Sequence, residues 1–291
     1  MNSEENLAKL MNVTYHLKQL DVDGYSINYL QAGSGEPLLL IHGGNIGWGQ
    51  YYRNIKALSE KYSIYAVDLL GAGRSSKIDY AQLNISRDLL DIVKHFIQKL
   101  DIKHYHIVGS SIGGWLALKL AAENFNDIKK VVIADAVGLT DYVAVPERIM
   151  SIYPIAKILS TTALKPDRTN KNVESFLRSV FFDSKLKLET EFIEYFYDTM
   201  KESHNLLFIS KLTSFWGAPA ELRLRSHLPH IKQPVLVIWG EQDKLLPLAR
   251  VQHDIDLIPH RQLEVIKDSG HIVSIESSDA FNQKVIAFLK A

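Results

Sequence analysis

The sequence predicts an α/β fold built on a mostly parallel sheet, with a helical insertion in its second half. Short, continuously apolar runs of strand length alternate with runs of helical spacing, which is typical of a sheet covered by helices on both faces. This alternation stops between residues 139 and 228, where the pattern is helical throughout, and then resumes. A length of 291 residues with 46% apolar content suits one large domain with one elaboration.

The predicted elements follow one another in a regular order. Residues 14–20 and 25–30 alternate apolar and polar side chains around Asp23-Gly24, which predicts a hairpin of half-buried strands. Because buried strands are then separated by helices, we expect right-handed crossovers and parallel pairing. The buried strands are predicted at 37–41, 64–67, 105–108, 131–134, 234–239 and 262–266, and the helices at 52–58, 86–100, 115–122, 248–257 and 277–289.

The insertion is rich in aromatic residues and has helical segments near 146–159, 172–182, 188–201 and 205–212. So much apolar surface has to be buried, and the open end of the sheet is the available partner. We therefore expect a core domain formed by residues 1–138 and 229–291 and a helical cap formed by residues 139–228.

Composition narrows the classes of partner. The 33 basic and 33 acidic residues cancel, so no overall field favours nucleic acid or an anionic membrane. Cysteine is absent, which removes disulfides and thiol nucleophiles, and no His, Asp or Glu cluster has the spacing of a metal site. Neither a signal peptide nor a membrane-spanning run is visible. The expectation is a cytoplasmic protein that binds a small molecule and needs no metal.

Residues 109–113, Gly-Ser-Ser-Ile-Gly, lie between a predicted strand and a predicted helix. In such a turn the central serine projects its hydroxyl from a backbone so tight that the neighbouring positions require glycine. Glycines stand two residues on either side of Ser111, whereas Val108 and Ile112 stand at those positions around Ser110. Ser111 is therefore the candidate nucleophile. A helix capped by a serine is the competing interpretation.

Five motifs together resemble the α/β-hydrolase fold superfamily over nearly the whole chain. They are His42-Gly43 after a buried strand, Ser111 in its turn, the helical insertion, Asp243 behind Gly240, and Gly270-His271 before the last helix. The order Ser, Asp, His along the chain is the order in which that fold places its catalytic residues. The resemblance implies a mostly parallel central sheet flanked by helices, with a helical cap inserted after strand 6.

The chemistry of these residues suits a Ser-His-Asp triad. A serine hydroxyl needs a base to take its proton during attack, and His271 can take that proton and later return it. Asp243 would hold the other ring nitrogen and stabilise the imidazolium. The oxyanion requires two donors, for which we expect the N–H groups of Ile112 and Gly44, with Asn45 as the next choice for the second.

Alternatives exist for two members of the triad. Asp135 also ends a strand and could serve as the acid, since some members of the superfamily place it there. Asp268 is close to His271 in sequence, but a carboxylate in such a turn more often caps the turn. His253 and His260 lie in a predicted helix and the turn after it, so the position of His271 suits the base better.

The resemblance implies hydrolysis through an acyl-enzyme, with water as second substrate and no cofactor. A serine at position 111 departs from the haloalkane dehalogenase and soluble epoxide hydrolase patterns, which have Asp there. We expect a small, fairly apolar carboxylic ester as substrate, in a pocket that includes Asn45, Trp48 and Trp216. A ligand receptor without useful turnover is an alternative of another class. Association into a homo-oligomer is left open.

A second enzymatic alternative comes from residues 42–54. This stretch resembles the same region of meta-cleavage-product hydrolases, which break carbon–carbon bonds. Those enzymes usually have Gly-Pro where this chain has Asn45-Ile46, and often Trp where it has Ile272. They also bind a substrate carboxylate through a cap arginine, for which this chain offers Arg148, Arg168 and Arg178.

Overall fold

The computed structural model describes residues 2–44, 46–80, 82–125, 127–143, 149, 151–161, 174–175, 178, 186–203, 205–212 and 218–291. Within these ranges the strands form a single sheet of eight. The strands are β1 (Tyr15–Val22), β2 (Tyr25–Ala32), β3 (Glu36–Ile41), β4 (Tyr62–Val67), β5 (His106–Ser110), β6 (Lys130–Ala134), β7 (Val235–Gly240) and β8 (Arg261–Ile266).

The sheet has the spatial order β1-β2-β4-β3-β5-β6-β7-β8. β1 and β2 form the predicted antiparallel hairpin, and β2 pairs antiparallel with β4. From β4 to β8 every pair is parallel. The predicted α/β class and the mostly parallel sheet are therefore confirmed, and the carboxyl ends of β3, β5, β6 and β7 lie along one edge.

Helices flank this sheet. The described helices are α1 (Ser3–Leu10), α2 (Ile55–Ser59), α3 (Leu90–Lys99), α4 (Ile112–Ala122), α5 (Tyr153–Thr161), α6 (Thr190–Ser203), α7 (Asn205–Leu212), α8 (Leu248–Ile255), α9 (Val273–Glu276) and α10 (Ser278–Lys290). Among these residues, no helix has the length and apolar content needed to cross a membrane.

The core lies on both faces of the central strands. In β5, Ile107 belongs to one buried apolar cluster and Val108 to the other, because successive side chains of a strand point to opposite faces. β6 and β7 alternate in the same way and are buried along almost their whole length. This double burial explains the continuous apolar runs in the sequence.

Several elements differ from the sequence-based expectation. The polar start of the chain forms α1, capped by the Asn2 side chain, which accepts a hydrogen bond from the Glu5 N–H at 2.8 Å. The helix predicted at 86–100 begins with a π-helical turn, Ile85–Leu89, before α3. The helix predicted at 277–289 is α10, and the separate short helix α9 precedes it.

The insertion between β6 and β7 contains α5, α6 and α7. These helices match three of the four predicted helical segments, and the first residues of the segment predicted at 146–159 lie mostly outside the described residues. The predicted segment at 172–182 lies mostly outside the described residues.

Very close backbone contacts fix the turn between β5 and α4. A Cβ atom on Gly109 would lie 2.1 Å from the carbonyl oxygen of Gly113, and one on Gly113 would lie 2.2 Å from the carbonyl oxygen of Ile41. Real side chains do not approach backbone atoms so closely, so both positions require glycine. β3, β5 and α4 therefore meet at one point.

We predict that Gly113→Ala destabilises the protein by about 3 kcal/mol, because the new methyl group meets a backbone oxygen that cannot move aside. Alanine is otherwise the better helix former by about 1 kcal/mol, so the direction of the change tests the contact. Gly24→Ala is the control, since φ is +83° there but nothing lies within 4 Å, and it should cost about 1 to 2 kcal/mol. Urea unfolding measures both. Equal losses would contradict the contact.

Candidate active site

Ser111 lies at the turn between β5 and α4 with φ +51° and ψ −114°. A positive φ is strained for a residue with a side chain and persists only where the surroundings enforce it. Here the N–H of Ser111 donates to the carbonyl of Ala134 at 2.9 Å, and the carbonyl of Ser111 accepts from Val137 at 3.2 Å. The last residue of β6 and the segment after it therefore hold Ser111 through both its N–H and its carbonyl group. Ser110 is the last residue of β5 and is buried.

The segment after β3 packs against this turn. We call it the β3 loop, and its described residues are 42–44, 46 and 47. A Cβ atom on Gly43 would lie 2.8 Å from the Cβ of Ser111. The N–H of Gly43 donates to Oε1 of Gln50 at 2.7 Å, and Nε2 of Gln50 donates to Oγ of Ser274 at 3.3 Å. Gln50 therefore joins the β3 loop beside Ser111 to the segment that follows His271.

His271 follows β8 and is hydrogen-bonded to Asp243, with 2.8 Å between Nδ1 and Oδ2. The Asp243 side chain is completely buried, and its Oδ1 accepts from the N–H groups of Leu245 and Leu246, each at 2.9 Å. These donors hold the carboxylate in place, and its acceptor oxygen places the ring proton on Nδ1. Nε2 is therefore the basic nitrogen of the neutral ring.

The charge around His271 favours the imidazolium. Burial alone would lower the pKa of His271. The Asp243 carboxylate and its hydrogen bond to the ring, followed by the charges of Asp135 and Glu276, outweigh burial and raise this pKa to about 9. Such an environment stabilises the protonated ring that forms when a histidine accepts a proton from a nucleophile.

The Glu276 carboxylate accepts hydrogen bonds from the backbone on both sides of His271. Its Oε2 accepts from the N–H of Gly270 at 3.0 Å, and its Oε1 accepts from the N–H of Ile272 at 3.1 Å. Charge-assisted hydrogen bonds of this kind are stronger than neutral ones. Glu276 therefore fixes the turn that carries the imidazole. No local sequence pattern points to Glu276.

Asp135, the alternative acid, lies next to these groups but has a different partner. It is completely buried, and its Oδ1 accepts from the N–H of Gly240 at 2.9 Å. Burial, and then the negative charge of Asp243, raise the pKa of Asp135 well above its usual range. The hydrogen bond to His271 is made by Asp243, so the geometry favours Asp243 as its partner.

The His42 side chain connects the β3 loop to the segment after β4. Its Nδ1 lies 3.1 Å from the carbonyl oxygen of Gly43, and its Nε2 accepts from the N–H of Leu69 at 3.0 Å. Burial lowers the pKa of His42 to about 4, so the ring is neutral and each nitrogen has one defined role. Ile112 is the first residue of α4, and Gly44 has φ +49° in the β3 loop.

The predicted pocket residues have different outcomes. Asn45 and Trp216 lie outside the described residues. Trp48 is completely buried, and its indole N–H donates to Glu4 at 2.7 Å, so its observed contacts hold the loop; its role in a pocket stays a prediction. Trp115 of α4 is also buried, and its indole N–H donates to the carbonyl of Leu222 at 2.8 Å, so it packs in the core.

Of the three insertion arginines considered for a substrate carboxylate, the structure describes Arg178. Its Nε donates to Glu174 at 2.9 Å, and its Nη1 donates to the carbonyl of Leu186 at 3.0 Å. These contacts occupy the guanidinium within the insertion. Arg148 and Arg168 lie outside the described residues.

Comparison with known proteins agrees with this architecture. The chain is 27% identical over 297 residues to a 2-hydroxy-6-oxo-6-phenylhexa-2,4-dienoate hydrolase of Comamonas testosteroni, covering 99% of this chain and 98% of that protein. It is 29% identical over 277 residues to a 2-hydroxy-6-oxononadienedioate/2-hydroxy-6-oxononatrienedioate hydrolase of Paraburkholderia phymatum, covering 90% of each.

Solved structures share the fold. Carboxylesterase CesB of Bacillus subtilis superposes with a TM-score of 0.79 at 20% identity, covering 99% of this chain and 95% of that one. The family model described as alpha/beta hydrolase fold matches residues 36–278, which is most of the sequence. The chain therefore belongs to the α/β-hydrolase fold family.

Proposed function

We propose that this protein is a serine hydrolase that cleaves a small, fairly apolar carboxylic ester through an acyl-enzyme. The observation that carries the proposal is the strained backbone of Ser111, which is enforced at a strand-to-helix turn in a chain that also holds a buried His271–Asp243 pair. Strain of this kind is retained where function requires it. Within this family, a serine at that turn is the nucleophile.

In the first half of the reaction, Nε2 of His271 takes the proton of Ser111 as Oγ attacks the acyl carbon. The negative charge on the substrate oxygen is stabilised by the N–H groups of Ile112 and Gly44. The tetrahedral intermediate then collapses, and the leaving alcohol receives the proton from His271. The product of this half is an ester of Ser111.

In the second half, water replaces the alcohol. His271 takes a proton from water, and the resulting hydroxide attacks the acyl carbon of the Ser111 ester. Collapse of the second tetrahedral intermediate returns that proton to Oγ and releases the carboxylic acid. The proton count balances without a cofactor.

An apolar acyl group suits the described surroundings of the two reacting residues. Ile112 follows Ser111, Ile272 follows His271, and Ile46 belongs to the β3 loop; all three are buried. Because Arg178 is bound within the insertion, it supports no carboxylate site. We further propose that residues 139–228 form a cap that selects the substrate.

A second candidate reaction is the hydrolysis of a carbon–carbon bond next to a ketone. The specific observation in its favour is the full-length similarity to hydrolases whose names specify dienoate substrates. In that reaction water supplies a hydroxyl group to the acyl carbon and a proton to the departing carbon. The Asn45-Ile46 pair and Ile272 depart from the pattern of those enzymes, which is why we place the ester first.

We predict that a fluorophosphonate probe labels Ser111 covalently. Ser111→Ala should abolish labelling, and Ser110→Ala, in the neighbouring serine, should retain it. His271→Ala should lower both labelling and ester turnover by at least about a thousandfold, as losses of triad members do. Intact-mass and peptide mass spectrometry measure the label. Native protein that remains unlabelled would exclude the hydrolase and favour a ligand receptor.

The raised pKa of His271 predicts the pH dependence. Only the neutral ring can act as base, so kcat/KM should rise with pH and have a midpoint above the ordinary histidine value of about 6.5. Glu276→Gln removes a negative charge beside the imidazolium, which lowers the pKa and moves the midpoint downward. Asp268→Asn is the matched control in the same turn, because Asp268 is exposed and its charge is screened. An upward shift in Glu276→Gln would contradict the assignment.

A substrate panel separates the two candidate reactions. We expect p-nitrophenyl acetate and butyrate to be hydrolysed with higher kcat/KM than 2-hydroxy-6-oxo-6-phenylhexa-2,4-dienoate. Release of p-nitrophenol and loss of dienoate absorbance measure the two rates. Ser111→Ala serves as the blank for both. A preference for the dienoate would make carbon–carbon hydrolysis the function.

A further inference from the structure

Two buried carboxylates lie beneath the β3 loop, and the proposed reaction uses neither of them. Glu4 of α1 is 5% exposed, and Asp68, just after β4, is completely buried. The Asn28 side-chain amide lies between them and donates to Oε1 of Glu4 and to Oδ2 of Asp68, both at 2.8 Å. Burial raises the pKa of both carboxyl groups. Burying a carboxylate is costly unless hydrogen bonds or an ionic partner compensate for the lost hydration.

The backbone and indole N–H groups of Trp48 both donate hydrogen bonds to these two carboxylates. The backbone N–H donates to Oδ1 of Asp68 at 2.6 Å, and the indole N–H donates to Oε1 of Glu4 at 2.7 Å. Trp48 is the residue directly after the β3 loop and begins a short 3₁₀ turn, Trp48–Tyr51. The two carboxylates therefore anchor one end of that loop, as Gln50 anchors Gly43 near the other.

Packing is close at Gly47, the last residue of the loop, and at Gly49 just beyond it. A Cβ atom on Gly47, where φ is +80°, would lie 2.2 Å from the Tyr195 hydroxyl and 2.8 Å from Oδ1 of Asp68. One on Gly49 would lie 2.3 Å from the Tyr195 ring and 2.8 Å from Leu7. The loop end is thus enclosed by α1 on one side and α6 on the other.

α1 is also tied to the insertion. Oγ of Ser3 donates to Asp198 of α6, and the Arg74 guanidinium donates to Ser3 at 3.3 Å and to Asp198 at 3.4 Å. Glu4 itself lies in the first turn of α1, where the helix dipole favours a negative charge. The contacts of α1 with α6 therefore fix the position of Glu4 between the β3 loop and the insertion.

We propose that Glu4 is a positioning residue: acting through Trp48, it fixes the β3 loop so that the Gly44 N–H points at the developing oxyanion. This inference rests on the proposed serine hydrolase function and extends it to a helix far from Ser111 in sequence. A donor displaced by a fraction of an ångström loses much of its effect on the transition state, while substrate binding changes little.

The test compares Glu4→Ala, Glu4→Gln and Glu5→Ala. Glu4→Ala should lower kcat for p-nitrophenyl butyrate about ten- to hundredfold with KM within about twofold, since only the transition state uses the donor. Glu4→Gln keeps an acceptor oxygen for Trp48 and should recover most of this loss. Glu5→Ala is the matched control on the same helix and should retain full activity, because the Glu5 N–H that donates to Asn2 belongs to the backbone and is kept in alanine.

Hydrogen exchange gives a readout that does not depend on activity. In Glu4→Ala, amides in residues 43–51 should exchange faster, while those in residues 106–122 should keep the native rate. An unchanged kcat, an unchanged exchange rate in residues 43–51, or equal acceleration in both regions would overturn the proposal. If the native protein neither hydrolyses esters nor reacts with fluorophosphonate, the proposed function fails by itself, and the exchange experiment still decides whether Glu4 fixes the loop.

Discussion

The organisation of the site depends on the close approach of three backbone segments, where β3, β5 and the start of α4 meet without side chains between them. Gly109 and Gly113 permit this contact, and Ser111 takes its left-handed conformation because the chain has to reverse within it. The same contact brings the β3 loop against Ser111. A small steric constraint therefore sets the positions of the serine and of the loop beside it.

Around this rigid centre, backbone N–H groups hold two acidic side chains in place. Asp243 accepts from Leu245 and Leu246, and Glu276 accepts from Gly270 and Ile272. Backbone donors are part of the fold and do not require a flexible side chain to be ordered. Each carboxylate can then face His271 or its turn in a fixed orientation, which makes the charge around the imidazole a property of the fold.

Features encoded over short distances in sequence could be predicted. Apolar runs identified the strands, glycine spacing indicated the tight turn at Ser111, where φ is positive, and the hairpin followed from Asp23-Gly24. Contacts between distant segments could not be predicted. Glu4 meets Asn28 and Trp48 across 24 and 44 residues, and no local pattern distinguishes it from the neighbouring Glu5. Glu276 lies in a short helix, α9. Its contacts with the turn before that helix depend on how the helix packs, which the local sequence does not show.

The hydrogen bond between Ser3 and Asp198 spans 195 residues, and this separation has a consequence for biosynthesis. The amino-terminal helix leaves the ribosome first, yet the helix that covers it is made only after two-thirds of the chain. Contacts of such high sequence separation form late, because a long loop must close before they contribute. The nascent chain can pair its early strands while Leu7 and Ala8 still lack their final cover. The packing of Gly47 and Gly49 against Tyr195 and Leu7 is therefore complete only when both helices are in place.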